Sequence, residues 1–165
     1  MKNSIAFLLG ISGIALTSLV PGGPIETRSF AHINPLTLGI FNTILTTLAL
    51  GSFLLVYFIL NDRKWAIVGA AICGLTYIGV YGLDLAYLFP VSPDPMPAAL
   101  WAIEVFGLAI AIPLTSLSII QIRSAGTVAP VTPLISSQNA TYTTSLILLL
   151  GLSIIAFATR SAMGY

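Results

Sequence analysis

Five apolar runs, each bounded by polar segments rich in helix breakers, dominate this 165-residue sequence: residues 5–20, 36–60, 65–89, 98–122 and 142–159. A helix needs about 20 consecutive apolar residues to cross the hydrocarbon core of a bilayer. The three middle runs exceed that length, the last falls slightly short of it, and the first is the shortest. Backbone in lipid has no water to bond to, so spanning segments must be helices or closed barrels. Runs this long and unbroken do not resemble the alternating strands of a barrel. The fold expected is all-α and membrane-integral, with residues 1–165 forming one bundle of five transmembrane helices, four long and a shorter N-terminal one.

The connections support this division: "PGGPIETRSFAHINP" at 21–35, "NDRK" at 61–64, "PVSPDPMP" at 90–97 and "SAGTVAPVTPLISSQNAT" at 124–141. The first run follows Lys2 and has the length of a signal-peptide core. No A-x-A pattern precedes Pro21, so it reads as a retained helix. "PGGP" has no strand before it and no GK[ST] after it, so it is a turn rather than a phosphate loop. The fourth connection reads as a flexible link or a partner-docking segment, and its Asn139-Ala140-Thr141 glycosylation pattern as a chance match.

Only 7% of the residues are charged and 57% are hydrophobic, whereas about a quarter of a soluble domain is charged. A net charge of +1 supplies no basic field, which removes nucleic acid as a partner. One cysteine, Cys73, and one histidine, His32, exclude an intramolecular disulfide, CxxC chemistry and multi-histidine metal or haem sites. No cofactor or metal is expected. No serine, histidine and acid arrangement is discernible, so the reading leans away from an enzyme.

Lys2, Arg63, Lys64 and Arg123 share one side of a five-span topology, and Arg28 and Arg160 share the other. The positive-inside rule then places the N-terminus inside. The first and third loops, with Glu26, Arg28, His32 and Asp94, face outside. The membrane expected is the cell inner membrane or an internal energy-transducing one.

Two carboxylates interrupt the spans. Asp84 lies six residues before Pro90 and Glu104 seven after Pro97, which puts both roughly 9 to 10 Å inside the helix ends at about 1.5 Å per residue. At about 100° per residue, Asp84 shares a face with Ala70, Cys73, Gly74, Tyr77 and Tyr81, and Glu104 with Trp101, Gly107, Ala111, Thr115 and Ser118. Small and polar residues on one stripe mark a helix–helix interface rather than a lipid-facing surface. Asn42, seven residues after Pro35, heads a similar stripe with Thr46, Ala49 and Phe53. Pro113 frees the carbonyl of Ala109, giving either a packing kink or a gap that Thr115 or Ser116 repairs. Trp101 and Tyr87 fit an interfacial aromatic belt, and His32 reads as exposed or interfacial.

An ionised carboxylate in hydrocarbon costs several kcal/mol and must be paired, hydrated or protonated. Arg28 is the nearest cation by topology. The candidate set is therefore Arg28, Asn42, Tyr77, Tyr81, Asp84 and Glu104, with the two acids facing each other beneath the short proline loop. The leading functional expectation is an accessory or structural subunit of a larger membrane complex, or a homo-oligomer, held by this buried network near the outer leaflet. The alternative is a binding or transport protein with an outward-facing acidic pocket for a proton, a cation or a small amphipathic molecule. The lipid bilayer is a partner in either case.

Overall fold

The computed structural model describes residues 1–124 and 137–164, with the backbone alone over 137–148. It is all-helical, with α1 (Lys2–Ser18), α2 (Pro35–Leu60), α3 (Lys64–Leu85), α4 (Ala98–Ser124) and α5 (Ser137–Ala162). Helices α3 and α4 share the most extensive interface, α1 packs against α2 and α4, and α5 lies along α2. The core runs through Ile5, Leu9 and Leu16 of α1, Ala66 and Ala70 of α3, and Leu100 and Leu114 of α4. The middle three helices are long and apolar enough to cross a membrane. The outer surface is correspondingly apolar: Phe7, Ile14, Leu36 and Ile72 are each more than half exposed. Ser12, Ser52 and Ser118 are fully buried inside.

Helix boundaries follow from local chemistry. Asn34 caps α2, its side chain accepting from Leu36 N at 2.8 Å, and Pro35 occupies the first turn, where its missing N–H is harmless. At the other end Arg63 N donates to Phe58 O at 3.0 Å and Asp62 N to Ile59 O at 3.1 Å, with Asp62 at φ 61°. That pair of bonds is a Schellman ending, and Asp is among the few residues that tolerate the left-handed position.

Helix α3 stops at Leu85, four residues short of the apolar run's end at Phe89. The same ending recurs there: Leu88 N donates to Leu83 O and Tyr87 N to Asp84 O, both at 2.9 Å, with Tyr87 at φ 55°. Phe89 precedes Pro90, whose ring pushes the preceding residue out of helical geometry. Asp84 consequently sits in the last turn of α3 rather than well inside it. At its other boundaries α5 begins at Ser137, earlier than residue 142, and residues 125–136 of the fourth connection lie outside the described residues. Helix α4 continues through Pro113. Thr115 Oγ1 and Ser116 Oγ bond the carbonyls of Ala111 and Ile112, not that of Ala109.

Two glycines set the α3–α4 spacing. A Cβ at Gly74 would stand 2.3 Å from Thr115 Oγ1, and one at Gly107 would stand 2.5 Å from the Tyr81 ring. Only glycine permits so close an approach.

Candidate functional site

The segment between α1 and α2 folds across one end of the bundle and is pinned on both sides. Gly22 has φ +82°, and a Cβ there would fall 1.7 Å from Ser161 Oγ, so the turn passes α5 only as glycine. Phe30 N donates to Ala162 O at 2.8 Å, and Phe30 packs with Leu38 and Ala162. On the opposite side Ser29 N donates to Asp94 Oδ2 at 2.8 Å and Ser92 Oγ donates to Ser29 O at 2.9 Å. Between these pins Arg28 turns inward, and its side chain is only 3% exposed.

Arg28 is held by two carboxylate forks. Nε donates to Glu26 Oε1 at 3.0 Å and Nη2 to Glu26 Oε2 at 2.6 Å. Nη1 donates to Asp84 Oδ1 at 2.9 Å and Nη2 to Asp84 Oδ2 at 2.7 Å. The Arg28 backbone N–H adds a bond to Glu26 Oε1 at 3.1 Å. The planar guanidinium matches carboxylates along its edges, and here two edges are occupied. Its carbon also lies 5.3 Å from the Phe30 ring centre. Burial alone would lower the Arg28 pKa, but its hydrogen bonds to Asp84 and Glu26 and their charges outweigh this and raise it above the ordinary arginine value. The guanidinium therefore stays charged.

Glu104 completes the cluster from α4. It is 3% exposed, and it lines the same small cavity as Asp84. Its Oε2 finds no donor among the described residues, and neither does the hydroxyl of Tyr81, which is 1% exposed. No hydrogen bond runs from Arg28 to Glu104, because the guanidinium's forks engage Glu26 and Asp84. A cavity of about 50 Å³ opens here, with Glu26, Asn42, Tyr81, Asp84 and Glu104 in its wall. Three carboxyls thus surround a space served by one guanidinium. Such an excess of acid requires a proton or a second cation.

The remaining candidates fall at varying distances from this cavity. Asn42 lines it while its Nδ2 donates to Thr159 Oγ1 on α5 at 3.1 Å. Tyr77 is placed elsewhere: its hydroxyl pairs with Ser52 Oγ at 2.9 Å between α2 and α3, and its ring stacks on Tyr81 at 5.9 Å. His32, Trp101 and Tyr87 are exposed. Sequence reasoning passed over Glu26 and Thr159 as partners. The signal for Glu26 was present, since residues two apart in an extended chain project to the same side. Among the described residues, no group of three or more His, Cys, Asp or Glu side chains is arranged to hold a metal ion. At the opposite end of the bundle Lys2 pairs with Asp62 on the surface, where such pairs contribute little.

A family model described as "Domain of unknown function (DUF8051)" matches residues 1–132. That span takes in α1 to α4 and all three clustered acids with Arg28, and α5 follows it. No curated protein matches the sequence. No solved structure matches it either.

Proposed function

This chain belongs to the DUF8051 family, and from the geometry of its buried acids we propose that it is a membrane-embedded binding protein. In this reading all five helices span, the N-terminus is inside, and a small ligand enters the acidic cavity beneath Arg28 from the outer side. The membrane is the cell inner membrane or an internal energy-transducing one. Three helices of spanning length and the placement of Lys2, Arg63, Lys64 and Arg123 support the topology.

The observation that carries the binding role is the unmatched Glu104. Arg28 serves Glu26 and Asp84, while Glu104 Oε2 and the Tyr81 hydroxyl face a cavity without a partner. A buried polar group left unmatched costs about 1–3 kcal/mol, and departures of this kind concentrate at functional sites. No enzymatic step is assigned. The test is native mass spectrometry of the chain extracted with its lipids. A bound small molecule retained by the wild type and lost from Glu104→Gln supports the reading, and identical unliganded masses for both overturn it.

A second reading, an accessory subunit of a larger complex, is favoured by the lateral position of α5. Among the described residues α5 packs along α2 alone of the helices. It leaves an apolar groove of about 560 Å³, bordered by Thr43, Leu50, Leu54, Leu150 and Leu152. A larger membrane protein or a second copy would cover that groove, and a stoichiometric protein partner in the same mass spectrum would favour this reading.

A further inference from the structure

Resting on the binding reading above, we propose that the ligand is a single-chain amphiphilic amine, its ammonium head at Glu104 and Tyr81 and its alkyl chain in an apolar groove between α1, α2 and α5.

The head end is defined by two buried polar atoms without partners. Glu104 Oε2 has none, and once ionised its carboxylate accepts from any N–H brought to it. The Tyr81 hydroxyl beside it is also unmatched and can accept through its oxygen. An ammonium group brings several N–H donors and a positive charge into a cluster where three acids meet a single guanidinium. The same acid excess disfavours any phosphate-bearing headgroup.

The tail end is defined by adjacency. Beside the acid cavity lies a hollow of about 360 Å³ with Ala49, Ile154, Phe157 and Ala158 in its wall. The two hollows have Leu16, Leu19, Pro21, Asn42 and Leu45 in common. The acid-lined cavity thus adjoins an apolar hollow at Asn42, and a molecule reaching across both would join a charged head to an apolar chain. A phospholipid would bring its phosphate to the acids, which commits the site to a single-chain amine rather than to bulk bilayer lipid.

The test uses the full chain in micelles of a neutral detergent, with octylammonium, methylammonium and octanol as probes and thermal stability as the readout. Octylammonium should stabilise the wild type in a saturable manner, and Glu104→Gln should weaken its apparent affinity at least tenfold. Comparing variants in the same micelle cancels partitioning of the probe into detergent. Tyr81→Phe removes the unmatched hydroxyl while keeping the ring, and should weaken octylammonium several-fold without lowering basal stability. Ala158→Leu narrows the tail hollow, and should weaken octylammonium while leaving methylammonium unchanged. Equal responses of wild type, Glu104→Gln and Tyr81→Phe to octylammonium overturn the proposal, as does octanol acting as strongly as octylammonium. A native ligand that lacks an amine yet depends on Glu104 would overturn the amine assignment alone, whereas no small-molecule binding at all would remove the binding reading with it.

Discussion

Tyr81 on α3 fills the space that a side chain at Gly107 on α4 would need: a Cβ there would stand 2.5 Å from one ring carbon and 2.7 Å from Cζ. The ring cannot easily swing aside, because Tyr77 stacks on it at 5.9 Å with an interplanar angle of 16°. Gly107→Ala should therefore lower stability by about 1–3 kcal/mol, the usual cost of overpacking, although alanine is the better helix former by about 1 kcal/mol. Gly79 of α3 has nothing within 4 Å of its Cβ position, so Gly79→Ala should be neutral or slightly stabilising. Thermal unfolding in detergent micelles distinguishes the two. In the Tyr81→Ala background the Gly107→Ala penalty should vanish, and strict additivity would show that the contact carries no energy.

Arg28 presents a different balance. Removing it strands Glu26 and Asp84 without the cation that both engage, and breaking a buried pair from one side costs about 3–5 kcal/mol. Arg28→Ala should thus destabilise the bundle far more than Arg160→Ala, since Arg160 is exposed. A neutral combination, Arg28→Met with Glu26→Gln and Asp84→Asn, should recover most of that loss, because a buried pair is often no better than uncharged groups of similar size. The sign of the pH effect is also fixed. The Arg28 pKa is raised on folding, so its stabilisation is fully present below its ordinary value and is lost progressively as pH rises from there through the raised one. Alkali up to about pH 11 should not release the segment through deprotonation of Arg28. Stability curves of wild type and variants against pH would check both points.

The five helices were legible because apolar length and proline-rich interruptions are strong, local signals. Asp84 and Glu104 stood out for the same reason, as charges inside apolar runs. Three features were not readable at that level. The end of α3 at Leu85 depends on Tyr87 adopting a left-handed conformation, which no propensity favours for a tyrosine. The pairing of Tyr77 with Ser52 rather than with an acid depends on how α2 crosses α3. The division of Arg28 between Glu26 and Asp84, with Glu104 left aside, depends on the path of an irregular segment pinned to Ala162 and Asp94. Periodicity can assign residues to a common face, but it cannot rank hydrogen-bond partners within that face.

The Asp94 pin makes its own prediction. Its carboxylate accepts from Ser29 N, and Ser92 Oγ donates to Ser29 O, which anchors the segment immediately after Arg28. Asp94→Ala should cost about 0.5–1.5 kcal/mol, the net worth of an ordinary hydrogen bond. Its clearer effect should be local: faster amide hydrogen exchange at Ser29 and Phe30 with little change in the core of α3. Asp62→Ala, which removes the exposed pair with Lys2 at the other end, should leave exchange at Ser29 and Phe30 unaltered. Equal protection at Ser29 in wild type and Asp94→Ala would mean that the pin does not restrain the segment.

The proposed topology places the α2–α3 turn and the α3–α4 loop on opposite sides of the membrane. The turn carries Arg63 and Lys64, and with Lys2 and Arg123 it outweighs Arg28 and Arg160 on the other side, so the turn is assigned to the inside. Asn61 and Val91 are both exposed, and neither side chain belongs to the acid cluster. Each can therefore report its side without disturbing the site. In a Cys73→Ala background, Val91→Cys should react with a membrane-impermeant thiol reagent added to intact cells, and Asn61→Cys only after the cells are opened. Cys73 is partly buried in α3, so its removal keeps the background signal low. The reverse pattern would invert the bundle and place the acid cavity on the inner side. Labelling of both positions from outside would show that α3 does not span.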